Sequence, residues 1–360
     1  MADPTISFYP SETRVIPLTL IQCERRLPAK GEVLARQGAR VEPTDVVARV
    51  HQTQDFRILD VARKLGVPKS QIKRYLLKQV GDTVEVGQPI AVRGGLPGRK
   101  VPAPAKGTIM AVGNGRVLLE VAPELIEVRA YLKGTVTTVT PGIGVVIEAT
   151  GAMVQGMWGC GGEAYGVLRV LAEKPDEPLR AKSIDVAAHG AIIVGGGWVD
   201  AAALEQAQQL QVRGLIMGSM AGTLRAQAES IGFPIILTEG FGRVPMAEPI
   251  FSLLRGQTGR EASLSAETRV RFGVTRPEVL IPLPAESRLS PPPPPGAPLS
   301  VGARVRVVRP PYLGAVGVVE EITTKTRRVE SGARVYGAEV RLDTAAETVF
   351  VPYANLELLR

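Results

Sequence analysis

The densest charge in the sequence lies between Arg57 and Lys78, where seven basic residues accompany a single acid, Asp60. Arg63, Lys64, Lys69, Lys73 and Arg74 are spaced like cations that neutralise successive phosphates of a polynucleotide, and equally like a solvated helical face. A second set of candidates sits on glycine-bearing turns: Gly197 and Trp198, then Ser219, then Glu239. Backbone N–H groups in such turns can approach a phosphate or another small ligand, and a glutamate there is a residue type suited to general-base chemistry. The pattern stops short of a known fingerprint. Gly195-x-Gly197 runs into Asp200 instead of a third glycine, and no G-K-[ST] follows any glycine run. Cys23 and Cys160 are far apart, with only His51 and His189 beside them in the composition, so no zinc set is implied. The sequence therefore predicts no catalytic residue, no metal and no cofactor, and the chain is expected not to be an enzyme.

The basic segment, ILDVARKLGVPKSQIKRYLLK, has Val61, Leu65, Ile72 and Tyr75 at helical spacing, with small Ala62 and Gly66 where two helices would cross. This is the layout of a helix-turn-helix, with Ser70 and Gln71 at the start of the second helix where base-reading residues lie. The alternative is a helical hairpin at 57–78 that covers one end of a β-barrel and leaves its lysines solvated.

The flanking stretch supplies that barrel. Val84 and Val86 alternate with polar residues, Ile90, Ala91 and Val92 form an apolar run, and Gly81-Asp82 and Gly87-Gln88 provide turns. The order GDTVEVGQPIA, a hairpin tip, then APAKGTIMAV resembles the biotinyl/lipoyl-type barrel-sandwich hammerhead. In carrier members of that family a lysine at the tip takes the prosthetic group. Here the tip is Arg93-Gly94-Gly95-Leu96-Pro97-Gly98, and Lys100 lies off the position. The resemblance thus implies the fold without the swinging-arm chemistry. Residues 14–50 contain GEVLARQGARVEPTDVVARV, which has the same layout and reads as a first copy of the half-motif, an internal duplication. A third β-rich block, Glu127–Val170, is expected to complete or extend the sandwich, so residues 1–175 read as one β domain.

From Pro175 the texture changes to β-α-β units. GAIIVGG, RGLIMGS and FPIILTEG are buried-strand patterns, and DAAALEQAQQLQV has helical spacing through Ala203, Leu204, Ala207 and Leu210. Asp200 is placed to cap that helix. Residues 176–284 weakly resemble the DRTGG-type α/β regulatory module. Residues 285–299, with Pro291 to Pro295, read as a semi-rigid polyproline linker. The last segment, 300–360, contains VGARVRVVRPPYLGAVGVVEEI and VFVPYANLELL, and resembles a KOW motif in a small SH3-like barrel. Members of that family occur in bacterial transcription-elongation factors and ribosomal proteins. By charge, Arg304, Arg306, Arg309, Lys325, Arg327 and Arg328 are candidates for phosphate contact, and Tyr312 and Tyr353 for base stacking, while the module's small net charge leaves protein docking equally open.

Composition agrees with a turn-rich β protein: 39 Gly and 29 Pro against 4 % aromatics. Forty-three Lys and Arg against thirty-five Asp and Glu give a net of +8, mildly basic and compatible with anionic partners. There is no secretory leader pattern, and no apolar run has the length of a membrane span, so a cytoplasmic location is expected. The expected class is a multidomain α+β protein: a β barrel-sandwich with a helical insert, a small parallel-sheet α/β domain and a C-terminal SH3-like barrel. Three functions fit it. The first is a nucleic-acid-associated protein of transcription or translation, binding DNA or RNA through the basic insert and the KOW module. The second is an assembly scaffold that docks protein partners, and the third is a ligand-sensing α/β domain.

Overall fold

Two twelve-residue strands, Val15–Arg26 and Gly144–Gln155, run antiparallel to each other and form the spine of the molecule. The second is paired on its other edge with Gly134–Thr140 and then with Glu278–Pro282. Where the three strands meet, a Cβ on Gly151 would lie 2.3 Å from the carbonyl oxygen of Ile281, so no larger residue fits. The computed structural model describes residues 8–52, 55–95, 98–269, 275–284, 289, 296, 298–343 and 348–360. Within them the chain is a β-rich multidomain α+β protein with several sheets.

The spine belongs to a twelve-stranded sheet that takes strands from both sides of residue 175. Four strands of this sheet run parallel to one another: Glu163–Val170, Ala191–Val194, Gly214–Met220 and Ile235–Phe241. The unbroken buried runs of Ala191–Val194 and Gly214–Met220 reflect cover on both faces. Ile192, Val194, Ile216 and Ile236 pack with Ile250, Phe251 and Leu254 of the helix Glu248–Gly256. Ile193, Leu215, Met217 and Ile235 pack on the opposite face with Ala203, Leu204 and Ala207 of the helix Ala201–Gln209. Asp200 caps that helix as expected, its Oδ1 accepting from the Ala203 N–H at 2.9 Å. The strands Glu261–Ser265 and Glu278–Pro282 then lead the chain back to the spine.

The duplication seen in the sequence is nested. In one copy Gly81 N–H donates to Ile109 O at 2.7 Å and Ile109 N–H to Asp82 O at 2.9 Å. In the other, Gly38 N–H donates to Val136 O at 2.8 Å and Val136 N–H to Ala39 O at 2.9 Å. Gly107 pairs with Val84 and Gly134 with Val41, and each strand bulges two residues further on. Even the ion pairs correspond: Lys106 to Glu85 at 2.8 Å, Lys133 to Glu42 at 3.2 Å. The third β-block is therefore the missing half of the first copy. That copy's hairpin, Val46–Gln52 against Glu124–Arg129, carries residues 55–121 in place of its tip. The inserted unit has its own core, built from Leu59, Val61, Leu65, Val84, Ile90, Val101, Ile109, Val117 and Leu119.

The basic segment belongs to this inserted unit, and here the helix-turn-helix expectation is corrected. Asp60 caps a helix of five residues, Val61–Leu65, which Gly66 ends in the left-handed conformation at φ 66°. Beyond it lies a six-residue 3₁₀ turn, Lys69–Arg74, preceded by Pro68 without a side-chain cap. Val61, Ala62, Leu65 and Ile72 are spent on covering the barrel core. No α-helix long enough to read a groove is formed from this segment.

The C-terminal residues form a six-stranded sheet whose outermost strand is Ser11–Thr13, parallel to Leu356–Leu359. Phe8 stacks on Tyr353 with ring centroids 4.7 Å apart. The Pro291–Pro295 part of the expected linker lies outside the described residues. Among those described, no helix is long and apolar enough to cross a membrane.

One buried acid makes the fold pH-sensitive. Glu278 starts the strand beside Cys23, Arg25, Tyr131 and Glu163, where Arg25 grips Glu163 through two hydrogen bonds of 2.8 and 2.9 Å. Burial, then the charge of Glu163, pushes the Glu278 carboxyl from its ordinary 4.5 up to about 7, against the pull of Arg25 and Arg14. The same burial pushes the Cys23 thiol up to about 12, which keeps it an inert packing group. A carboxyl raised in the fold stabilises fully below its unfolded value and loses that contribution as pH rises to the folded value. Stability should therefore fall between about pH 4.5 and 7. Glu278→Gln should flatten that fall and gain up to about 3 kcal/mol above it; denaturant midpoints measured across the range decide this, and an unchanged slope counts against it.

Candidate nucleic-acid interface

Net charge is distributed very unevenly along the chain. Residues 55–121 hold twelve Lys and Arg and five Asp and Glu, so +7 of the total +8 sits on the inserted unit. Arg63, Lys64, Lys69, Lys73 and Arg74 are all exposed on its helical cover. The hairpin Pro89–Arg93/Arg99–Pro102 brings Arg93, Arg99 and Lys100 to the same unit, and Arg116 follows the Asn114-Gly115 turn. Arg93 Nη1 donates to the Leu65 and Gly66 carbonyls at 3.1 and 2.9 Å, which ties the hairpin to the end of the helix. A Cβ on Gly66 would lie 2.7 Å from Arg99 Nη1, so both arginines converge there. They are also direct cross-strand partners, an arrangement of like charges that is unfavourable unless an anion lies nearby. Arg93 and Arg99 did not stand out in the sequence as binding candidates, because only the hairpin register brings them together at the helix end.

In the C-terminal sheet the predicted residues separate. Arg309, Tyr312 and Arg328 line one groove of about 430 Å³, together with Pro311, Phe350 and Asn355. Tyr312 is 38 % exposed. Arg327 lies over the Phe350 ring, 5.0 Å from its centroid, and pairs with Glu339. Phe350 is the aromatic that the sequence reading missed. Lys325 is exposed outside the groove, and Arg304 forms a bidentate pair with Asp343 at 3.2 and 2.8 Å. Tyr353 does not face a base: it is buried under Phe8 and its hydroxyl donates to Thr323 O at 3.2 Å.

Arg306 is the clearest correction. It is 2 % exposed, too buried to meet a phosphate from solvent. Its Nη1 donates to Glu239 Oε2 at 2.6 Å and to Thr238 O at 3.1 Å, and its Nε to Glu357 Oε2 at 3.0 Å. Nη2 reaches Thr13 Oγ1 at 3.3 Å, and Arg276 closes on the far Glu357 oxygen at 2.9 Å. Burial works against charge on Glu357, but Arg306 and Arg276 together hold its carboxyl below the ordinary range. On Glu239 burial prevails and holds the carboxyl high despite Arg306.

The same contacts account for the expected ligand loops. Gly197 N–H donates to Glu177 O at 2.8 Å, and a Cβ there would meet Asp176 O at 2.8 Å. Trp198 is half-buried under Arg243, whose guanidinium carbon is 5.9 Å from the ring centroid. Ser219 Oγ donates to Val244 O at 2.9 Å and accepts from Val244 N–H at 2.8 Å. Glu239 accepts from Ala247 N–H at 3.1 Å and holds Arg306. At the strand-end edge where doubly wound sheets take ligands, Gly197, Ser219 and Glu239 are engaged by the chain's own contacts.

Among the described residues, no group of three His, Cys, Asp or Glu could hold a metal ion. No family model matches the chain, and no curated protein matches its sequence. Arg306→Met leaves buried Glu239 without its cation and Glu357 with Arg276 alone, and should cost about 3–5 kcal/mol in urea unfolding. Adding Glu239→Gln and Glu357→Gln should recover most of that loss; a single variant as stable as the parent would show that the cluster is not coupled.

Proposed function

We propose that this is a non-enzymatic nucleic-acid-binding protein of the transcription or translation apparatus, which grips the sugar-phosphate backbone with its inserted β unit. The observation that carries this reading is the confinement of +7 net charge to residues 55–121, a unit with its own core at the end of a two-stranded stem. Charge set apart on one module raises the local potential and steers a polyanion to it. The short helical cover offers cations but no recognition helix, so binding is to backbone and shape rather than base sequence. The resemblance of this unit to an unmodified barrel-sandwich hammerhead, and of residues 300–360 to a KOW module, supports the same reading. The groove at Arg309, Tyr312, Arg328 and Phe350 combines cations with aromatic faces, the chemistry that holds single-stranded bases.

The test is the salt dependence of binding to labelled duplex DNA and structured RNA. Each phosphate neutralised on duplex contributes a log-log slope of about −0.9. Replacing Arg63, Lys64, Lys69, Lys73 and Arg74 by Gln should reduce the slope by several units and weaken binding alike on all sequences. An unchanged slope in that variant rejects the assignment. A second reading, docking of a protein partner, draws on Ile58 and Met110, which are 65 % and 45 % exposed on the same unit. Partner capture that survives nuclease and high salt, and is lost in Ile58→Lys, would favour it.

A further inference from the structure

We propose that the groove of the C-terminal sheet selects an unpaired guanine within a bound strand, an inference that rests on the nucleic-acid reading above and names the base. Three segments supply most of its wall: Arg309 to Tyr312, the turn of the hairpin Arg327–Arg328/Arg334–Val335, and the edge strand Thr348–Pro352 with Asn355 beyond it. The turn is fixed by Val329 N–H donating to Ala333 O at 2.9 Å and Gly332 N–H donating to Val329 O at 2.8 Å. It brings Glu330 and Ser331 to the wall next to Arg328. The volume of about 430 Å³ lies within the range of small-molecule sites.

Most arginines of residues 300–360 are held by carboxylates. Arg304 pairs with Asp343, Arg306 with Glu239 and Glu357, Arg327 with Glu339, Arg341 with Glu320, and Arg360 with Glu12. The groove keeps its charges apart instead. Among the described residues, its three charged groups, Arg309, Arg328 and Glu330, make no ion pair and no side-chain hydrogen bond, and all three are exposed. The Ser331 hydroxyl and the Asn355 side-chain amide in the same wall have no partner among them either. The hydrogen-bonding groups of the groove are therefore open to a ligand.

These groups divide by chemistry. Tyr312 and Phe350 offer ring faces on which a base stacks, and Arg309 and Arg328 suit the flanking phosphates. Glu330 does not suit a groove made only for a polyanion. An ionised carboxylate repels phosphate and can only accept hydrogen bonds, through two oxygens side by side. It matches a base edge that donates twice. On their pairing edges adenine and cytosine each set one amino donor beside a ring-nitrogen acceptor, and uracil sets one N–H between two carbonyls. Guanine alone sets two donors together, N1–H and the N2 amino group. Ser331 and Asn355 add donors in the same groove for its O6.

The experiment is fluorescence anisotropy of the full chain, at one salt concentration, with labelled oligouridines of about ten nucleotides carrying one central guanosine, adenosine or inosine. Backbone contacts by the inserted unit are common to all three, so differences between them report on the groove. The guanosine oligomer should bind about tenfold more tightly than the adenosine one, the discrimination of a single bidentate base contact. Inosine lacks the N2 amino group and should lose most of that gain. Glu330→Gln, on an exposed turn, should abolish the preference and leave the affinity for the adenosine oligomer unchanged. Equal affinity for all three oligomers overturns the proposal. If Tyr312→Ala then weakens the three alike, the groove still holds bases and only the choice of guanine fails; if no oligomer binds at all, the nucleic-acid reading fails with it. Free guanosine monophosphate binding as tightly as the oligomer would overturn the assignment to a strand.

Discussion

One buried guanidinium holds the parts of this chain in register. Arg306 enters from the C-terminal sheet and is shared by Glu357 of that sheet, Glu239 at the end of a parallel strand, and Thr13 of the N-terminal strand. Five fixed donors in a plane suit such a three-way junction, and a lysine would not reproduce it. Buried ion pairs contribute little net stability compared with apolar packing, but each breaks expensively, so only one arrangement of the three elements satisfies all the charges. The direct structural consequence is that the open edge of the parallel sheet is closed. Val244, Glu177 and Arg306 occupy the places where the glycine turns would otherwise meet a ligand.

The nested duplication explains how a modestly basic chain acquires one strongly basic module. An insertion at a hairpin tip needs only adjacent ends, and Gln52 and Glu124 are direct partners in the stem. Such a unit can keep its own core and evolve its surface apart from the body. The repulsion among its cations is spread over exposed side chains, where water and salt screen it. The body keeps nearly balanced charge and supplies rigidity.

Much of the local structure was legible in the sequence. The continuous apolar runs AIIV and GLIMGSM, Asp200 before an Ala-rich helix, and the glycine turns all translate directly into strands, a cap and turns. Pairing between distant strands was not legible. The register that places Arg93 opposite Arg99, and the return of Glu278–Pro282 to the spine, leave no local trace. The third β-block was legible as part of the sandwich, but not as the second half of the outer repeat, because seventy-odd residues separate it from the first half and because Tyr131 and Leu132 stand where the inner copy has Pro104 and Ala105. Alternation put Arg304 and Arg306 on the same strand face, but sequence cannot tell that a neighbouring sheet covers Arg306 and leaves Arg304 outside. The five-residue helix marks a different limit: its apolar spacing fits a recognition motif and a cover for the barrel equally, and only the fold shows that Val61, Ala62 and Leu65 serve the core.

The most direct measurement is amide hydrogen exchange on the intact chain, with and without a structured RNA at low salt. Binding by the inserted unit predicts slowed exchange in residues 61–78 and in the strands Pro89–Arg93 and Arg99–Pro102. Residues 195–198, 218–220 and 238–241, already closed by the chain's own contacts, should not change. Protection confined to those loops, with the inserted unit unaffected, would contradict the account.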